Sequence, residues 1–167
     1  MVNEEEKVMS FDAQELQQYE PNRYPFLYID RVTECVPGKY AKGFKNLTNN
    51  EWFFPKHYKG HPLMPAAIQT ECLSQMITMA FTTLPGVSAI DVVGSKWSAK
   101  FNREVVPGDR LDIEAYVDSY TRGIGKGHAV SYVDGELACE VTLTLVIPSV
   151  FNEFRMKTRA KGKEHNA

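Results

Sequence analysis

The sequence predicts an α+β domain in which a curved antiparallel sheet of about six strands wraps one long central helix. Three observations predict it. Residues 63–83 form a long apolar run, and Glu71 is the only Asp, Glu, Lys or Arg between Lys59 and Asp91. The stretches on either side alternate with a period of two, as half-buried strands do. Turn pairs at Pro37-Gly38, Pro107-Gly108 and Asp134-Gly135 punctuate those stretches. A helix apolar on nearly every face must be covered on nearly every face, and a curled sheet does this with the fewest elements.

Taken in order, Ser10 ahead of residues 11–18 predicts an N-capped short helix stopped by Pro21. Phe26 to Val36 is a β-rich run, and residues 39–48 supply its partner across Pro37-Gly38. Residues 53–65, rich in Pro and Gly, form a loop leading into the helix, with Pro65 in its first turn. Leu84-Pro85-Gly86 ends that helix. Along residues 93–101 one face holds Val93, Ser95, Trp97, Ala99 and Phe101, and the other Gly94, Lys96, Ser98 and Lys100. That is a half-buried strand pattern. Strands over 111–119, 127–133 and 137–147 follow, the last two meeting at Asp134-Gly135.

A chain of 167 residues accommodates one domain with a real core, read here as residues 1–150, followed by a basic C-terminal tail over 151–167. Arg155, Lys157, Arg159, Lys161 and Lys163 make that tail basic, and it is read as mobile. The formal net charge of −2 excludes the broad basic field that nucleic-acid binding needs. Cys35, Cys72 and Cys139 are an odd count without C-x-x-C spacing, which argues against a disulfide framework and for a reducing compartment. The acidic start has no apolar signal segment, and Glu71, Gln69 and Gln75 make a membrane span over 63–83 costly. A cytoplasmic protein, with no membrane and no nucleic-acid partner, is the expectation.

Chemistry concentrates around the helix start. An ionised Glu71 in an apolar helix is costly unless paired or protonated, and Gln75 one turn on is a structural partner for it. His57 lies on the loop just upstream. His61, four residues further, mimics a helical metal pair, but Pro55, Gly60 and Pro62 oppose a helix there, so no metal is assigned. Backbone N–H groups from Ala66 onward have no partner within the helix and, backed by its dipole, suit an oxyanion. A base on a loop, N–H donors at a helix start and an acid one turn deeper make a proton-transfer site. Each residue also has a plain structural reading, as a satisfied histidine or a hydrogen-bonded core glutamate.

Three segments carry a resemblance. Residues 21–32, from Pro21 through Arg23-Tyr24-Pro25 to Asp30-Arg31-Val32, resemble P-H-R-Y-P-F-L-x-x-D-R-V. Phe53 to Gln75 resembles F-F-x-x-H-F-P-G-x-P-x-M-P-G-x-x-x-x-E-x-x-x-Q, and Lys100 to Asp109 resembles K-F-x-x-x-V-x-P-G-D. These patterns are similar to the (3R)-hydroxyacyl-[acyl carrier protein] dehydratases of the hot-dog fold, in order from about Tyr19 to Ile147.

The resemblance implies that His57 removes the α-proton of an acyl thioester and that Glu71 helps the β-hydroxyl leave as water. Glu rather than Asp at that position resembles the plain dehydratase branch. Ala66 falls where the family has a glycine whose N–H polarises the thioester carbonyl. The resemblance also implies a homodimer with shared active sites, or a trimer of dimers. Substrate would arrive on the phosphopantetheine arm of acyl carrier protein, with no metal or redox cofactor. Phe54, Met64 and Trp97 are candidates for binding the acyl chain, with core packing as the alternative for each. Lys96, Lys100, Arg103 and Arg110 are candidates for meeting an acidic carrier.

The chain departs from the patterns at Asn22 (histidine in the family), Lys59 (proline) and Ala66 (glycine). Alanine at 66 is unfavourable if that position needs positive φ and tolerated if it is an ordinary first-turn residue. The expected activity is dehydration of (3R)-3-hydroxyacyl-[acyl carrier protein] to the trans-2-enoyl product, in fatty-acid or specialised acyl or polyketide biosynthesis. Two other functions compete: a hot-dog thioesterase using Glu71 to activate water, and a non-catalytic carrier-protein or lipid-binding protein.

Overall fold

The computed structural model describes residues 7–164. The acidic start of the chain, the last residues of the tail and the side chains of Lys157, Arg159, Lys161 and Lys163 lie outside the described residues. The elements are β1 (Met9–Phe11), β2 (Arg31–Val36), β3 (Tyr40–Asn46), α1 (Ala66–Thr82), β4 (Val93–Phe101), β5 (Arg110–Thr121), β6 (Ile124–Val133), β7 (Glu136–Val146) and α2 (Pro148–Glu164). The strands form one seven-stranded sheet in the order β1-β2-β3-β5-β6-β7-β4, and every pairing is antiparallel. This is the hot-dog arrangement, helix α1 lying in the curl of the sheet.

Helix α1 is buried on almost all sides, with Leu73, Met76, Ile77, Ala80 and Phe81 wholly inside. Its contacts fall on β5, β3, β6 and β7, the middle of the sheet. The fit is close at Gly127 on β6, where an added Cβ would lie 2.7 Å from Ile77 Cγ2 and 2.7 Å from the Tyr116 carbonyl. A side chain there has to push the helix off the strand. Gly127→Val is expected to cost about 1–3 kcal/mol through overpacking, read as a lower urea midpoint at unchanged slope. An unchanged midpoint would mean that α1 and β6 do not meet there.

The structure differs from the sequence expectations in four places. Residues 9–11, expected to lead into a helix, are strand β1, with Met9 opposite Cys35 and Phe11 opposite Val32. The cap is Asp12, not Ser10. Its Oδ1 accepts the N–H groups of Gln14 and Glu15, and Glu15 Oε2 accepts the Asp12 N–H, around a short 3₁₀ turn over Glu15–Gln18. These backbone hydrogen bonds hold the Asp12 carboxyl below the usual aspartate range. Residues 26–30 are not strand, because Gln75 satisfies that backbone instead: Oε1 accepts the Tyr28 N–H (2.8 Å) and Nε2 donates to the Phe26 carbonyl (2.7 Å).

The other two differences lie at the far end of the sheet and of the chain. Strand β4 is exposed along nearly its whole length rather than half-buried, being a sheet edge hydrogen-bonded only to β7. Finally, the basic tail begins as helix α2. Its first turn is tied down by Ser149 N–H to Asp91 Oδ2 (3.0 Å), and Arg122 lies over the Phe154 ring. The turn at Asp134-Gly135 is as expected, with φ of 51° and 81°, the left-handed pair that a two-residue hairpin demands.

Candidate active site

The loop before α1 is built to hold His57. Lys45 on β3 reaches across to Glu51 (2.8 Å) and Asp30 (3.2 Å), anchoring the start of that loop. Burial alone would depress the Lys45 ammonium; pairing with Glu51 and Asp30 outweighs it and raises the pKa. After a 3₁₀ turn over Phe54–Lys56, the His57 ring packs on Tyr58 (centroids 4.0 Å apart), and its Nδ1 bonds the Leu63 carbonyl at 2.8 Å. A carbonyl only accepts, so Nδ1 carries the hydrogen. In the neutral ring Nε2 then keeps its lone pair, the form a base needs.

A cleft of about 420 Å³ opens beside this ring, lined by His57, Met64, Ala66, Gln69 and Phe101 among others. Ala66 is the first residue of α1, with Pro65 as its cap, so the Ala66 N–H has no carbonyl partner within the helix. It is not among the residues with positive φ. An alanine therefore sits in ordinary helical geometry there, and the extra methyl causes no backbone strain. Met64 is buried in the cleft wall, its N–H donated to the Val105 carbonyl (2.8 Å). Gln69 is buried too, its Nε2 on the Met64 carbonyl and its Oε1 without a partner.

Glu71 opens on a different space. It is half-buried, its Oε1 accepts from Gln75 Nε2 (3.0 Å), and it lines a pocket of about 110 Å³ with Glu20, Asn22, Ser74, Thr78 and Trp97. Trp97 is 47 % exposed, and its Nε1 donates to Ser74 Oγ (3.1 Å), which pins the indole against α1. Gly94 makes room for it: a Cβ there would lie 2.1 Å from Trp97 Cζ2. Within one chain the expected base and acid thus line separate pockets. Strand β4 borders both, through Phe101 on the His57 side and Trp97 on the Glu71 side.

The remaining candidates are placed as follows. Phe54 is 2 % exposed, packs on Phe53 and borders a third hollow with Asn49, Tyr58 and Pro62, so it lines neither space. Three of the four basic residues read as carrier contacts are ion-paired: Lys100 to Glu140, Arg103 to Glu136 and Arg110 to Asp112. Lys96 is exposed on β4. His61 bonds Glu104 Oε2 (3.1 Å) on the exposed side of the cleft and takes no part in the hydrogen bond from His57 to the Leu63 carbonyl. Among the described residues no group of His, Cys, Asp and Glu side chains is arranged to hold a metal ion.

Glu20 is a neighbour the sequence did not reveal. It is 1 % exposed, and its Oε1 accepts both the N–H (2.9 Å) and the Nδ2 (2.7 Å) of Asn22. Burial pushes its carboxyl above the usual range. The two Asn22 hydrogen bonds pull the other way, and the charge of Glu71 adds to the rise. A raised acid favours the native state below the unfolded value of 4.5, and that advantage fades as pH climbs through the folded value. Glu20→Gln is therefore expected to gain stability relative to the wild type as pH rises from 4.5 through the folded value, the margin then levelling off. A margin constant with pH would show that Glu20 has no such shift.

Comparison with known proteins agrees with this architecture. The family model described as a FabA-like domain matches residues 20–142. The chain is 39% identical over 140 residues to the 3-hydroxyacyl-[acyl-carrier-protein] dehydratase FabZ of Clostridium novyi, covering 83% of this chain and 99% of that protein. The Bacillus subtilis enzyme of the same name is 38% identical over 143 residues, covering 81% and 97%. Among solved structures, the dehydratase heterocomplex ApeI:P from Xenorhabdus doucetiae shares the fold at a TM-score of 0.68 and 12% identity, over 80% of this chain and 90% of that one. The chain therefore belongs to the FabA-like family and, within it, groups with the FabZ dehydratases.

Proposed function

We propose that the protein dehydrates (3R)-3-hydroxyacyl-[acyl carrier protein] to the trans-2-enoyl thioester. The observation that carries this reading is the His57 ring held by the Leu63 carbonyl beside the unpartnered N–H at the start of α1. His57 Nε2 takes the α-proton, and the Ala66 N–H with the helix dipole stabilises the charge growing on the thioester oxygen. Glu71 gives a proton to the departing β-hydroxyl, which leaves as water. The steps are proton transfers, so the side chains suffice and the substrate's phosphopantetheine arm is the only carrier required.

Base and acid open on separate pockets, so the complete site is formed by two copies of the chain. Strand β4 is nine residues long and offers an open backbone edge with exposed Val93, Trp97 and Phe101. Long exposed apolar edges invite pairing with another strand. Two copies related by a two-fold axis would pair β4 antiparallel. The Phe101 end of one copy, beside its His57 cleft, would then lie toward the Val93 end of the other, where Gly94 and Trp97 border the Glu71 pocket. A homodimer is thus the minimal active unit, and a trimer of dimers would need a second contact face beyond β4.

Met64 and Trp97 border the two spaces and contact the acyl chain in this reading. The three buried, unpaired cysteines fit a reducing cytoplasm, and no described helix is long and apolar enough to cross a membrane. The test is single-turnover conversion of 3-hydroxyacyl carrier proteins by the purified protein. Enoyl product supports the assignment, and release of free acid would replace it with thioester hydrolysis.

A further inference from the structure

Among the described residues Glu20 is the only buried carboxylate, and the elimination outlined above does not use it. Its hydrogen bonds from Asn22 both reach Oε1, which leaves Oε2 as the oxygen available to the pocket it shares with Glu71. Asn22 therefore has a specific task in this chain: its side chain and backbone together clamp one oxygen of Glu20. Arg23 adds a bond from Nη1 to the Glu20 carbonyl (2.7 Å), fixing the loop that carries the acid. The pocket, about 110 Å³, has room for water.

Within one chain few charges surround this pair. Glu71 faces Glu20 from α1, Arg23 lies on the same loop, and Tyr28 is close enough to feel the charge of Glu71. No other residue lining the pocket is titratable; Ser74, Gln75 and Thr78 are its polar neutral walls, and Gln75 Nε2 donates to Glu71. Asp91 is turned instead to the Ser149 N–H. Glu20, buried and sharing a small pocket with a second carboxyl group, ionises less readily than an ordinary glutamate and holds its proton there.

We infer that Glu20 is a positioning residue for the elimination, a buried acid that keeps a proton beside Glu71 and returns it to Glu71 after each turnover. This rests on the dehydratase reading of Glu71. In the chemical step the α-proton moves to His57, its electron pair forms the double bond, and the Cβ–O bond breaks as the Glu71 proton joins the departing oxygen. Water leaves, and Glu71 is a carboxylate. The Glu20 proton then passes through pocket water to Glu71, Glu20 takes a proton from solvent, and His57 releases one. No net proton is gained or lost.

The experiment compares the pH dependence of kcat and KM for the wild type, Glu20→Gln and Glu20→Leu on one 3-hydroxyacyl carrier protein. Carboxyl ¹³C titration of the labelled wild type is run in parallel. The alkaline limb of kcat is expected to move down by about one pH unit or more in both variants, roughly a tenfold loss on that side, with KM unchanged. The Glu20 carboxyl is expected to titrate above the ordinary glutamate value of 4.5. A purely structural Glu20, merely clamping Asn22, would leave the limb where it is. An active wild type with coincident profiles, or a Glu20 signal in the ordinary range, overturns this role alone; an inactive wild type overturns the dehydratase reading and this role with it. Should neither variant fold, the wild-type titration decides.

Discussion

Glu71→Gln is expected to fold as the wild type does and to dehydrate substrate at least about a hundredfold more slowly. The substitution preserves shape, and a glutamine carbonyl oxygen still accepts the Gln75 Nε2 hydrogen bond that Glu71 Oε1 accepts now. What it removes is the dissociable proton. If Glu71 were only a structural partner of Gln75, the exchange would cost nothing in rate. The measurement is single-turnover loss of water from 3-hydroxyacyl carrier protein, with the melting curve as the control for folding. Near-wild-type turnover in the folded variant would remove Glu71 from the chemistry.

His57→Ala is expected to be as severe, about a hundredfold or more, because it deletes the base that Leu63 orients through Nδ1. This variant also tests how the two pockets come together. Neither His57→Ala nor Glu71→Gln should turn over alone. When the two are mixed and allowed to exchange subunits, half of the dimers are mixed, and each has one site with both native residues. Activity should therefore return to about a quarter of the wild-type level. No recovery, with exchange confirmed by mass, would mean that one chain supplies both groups and that the β4 pairing does not build the site.

Much of this fold is written locally. The apolar run around Glu71 predicts α1 and its burial, and the alternation of Leu111, Ile113, Ala115 and Val117 predicts β5. The Asp134-Gly135 dipeptide predicts the hairpin by its need for positive φ. What is not legible depends on partners far along the chain. Strand β1 is three residues long and exists because Cys35 and Val32 lie opposite it. Residues 26–30 look like strand until Gln75, over forty positions away, takes the Phe26 carbonyl and the Tyr28 N–H.

The site divides in the same way. His57, Ala66 and Glu71 stand out because a loop histidine, a helix start and a lone acid in an apolar helix are local features. Phe54 reads as an acyl-chain contact, but its ring faces Phe53 in the core. Phe101 belongs to the His57 cleft, and only its shared parity with Trp97 along β4 hinted at this. Glu20 gave no signal, since a glutamate before a proline is ordinarily a solvated loop residue. Its burial comes from packing against α1 and β4, which no spacing rule encodes. The edge position of β4 was hidden for a similar reason: alternation reports a pleat and not which strand lies outermost.

The measurement that tests the central claim most directly is mass spectrometry of a panel of (3R)-3-hydroxyacyl carrier proteins incubated with the purified protein beside Glu71→Gln. The account predicts that the carried acyl group loses the mass of one water with the wild type and keeps it with the variant. Release of free acid, or an acyl group unchanged across the panel, would contradict it.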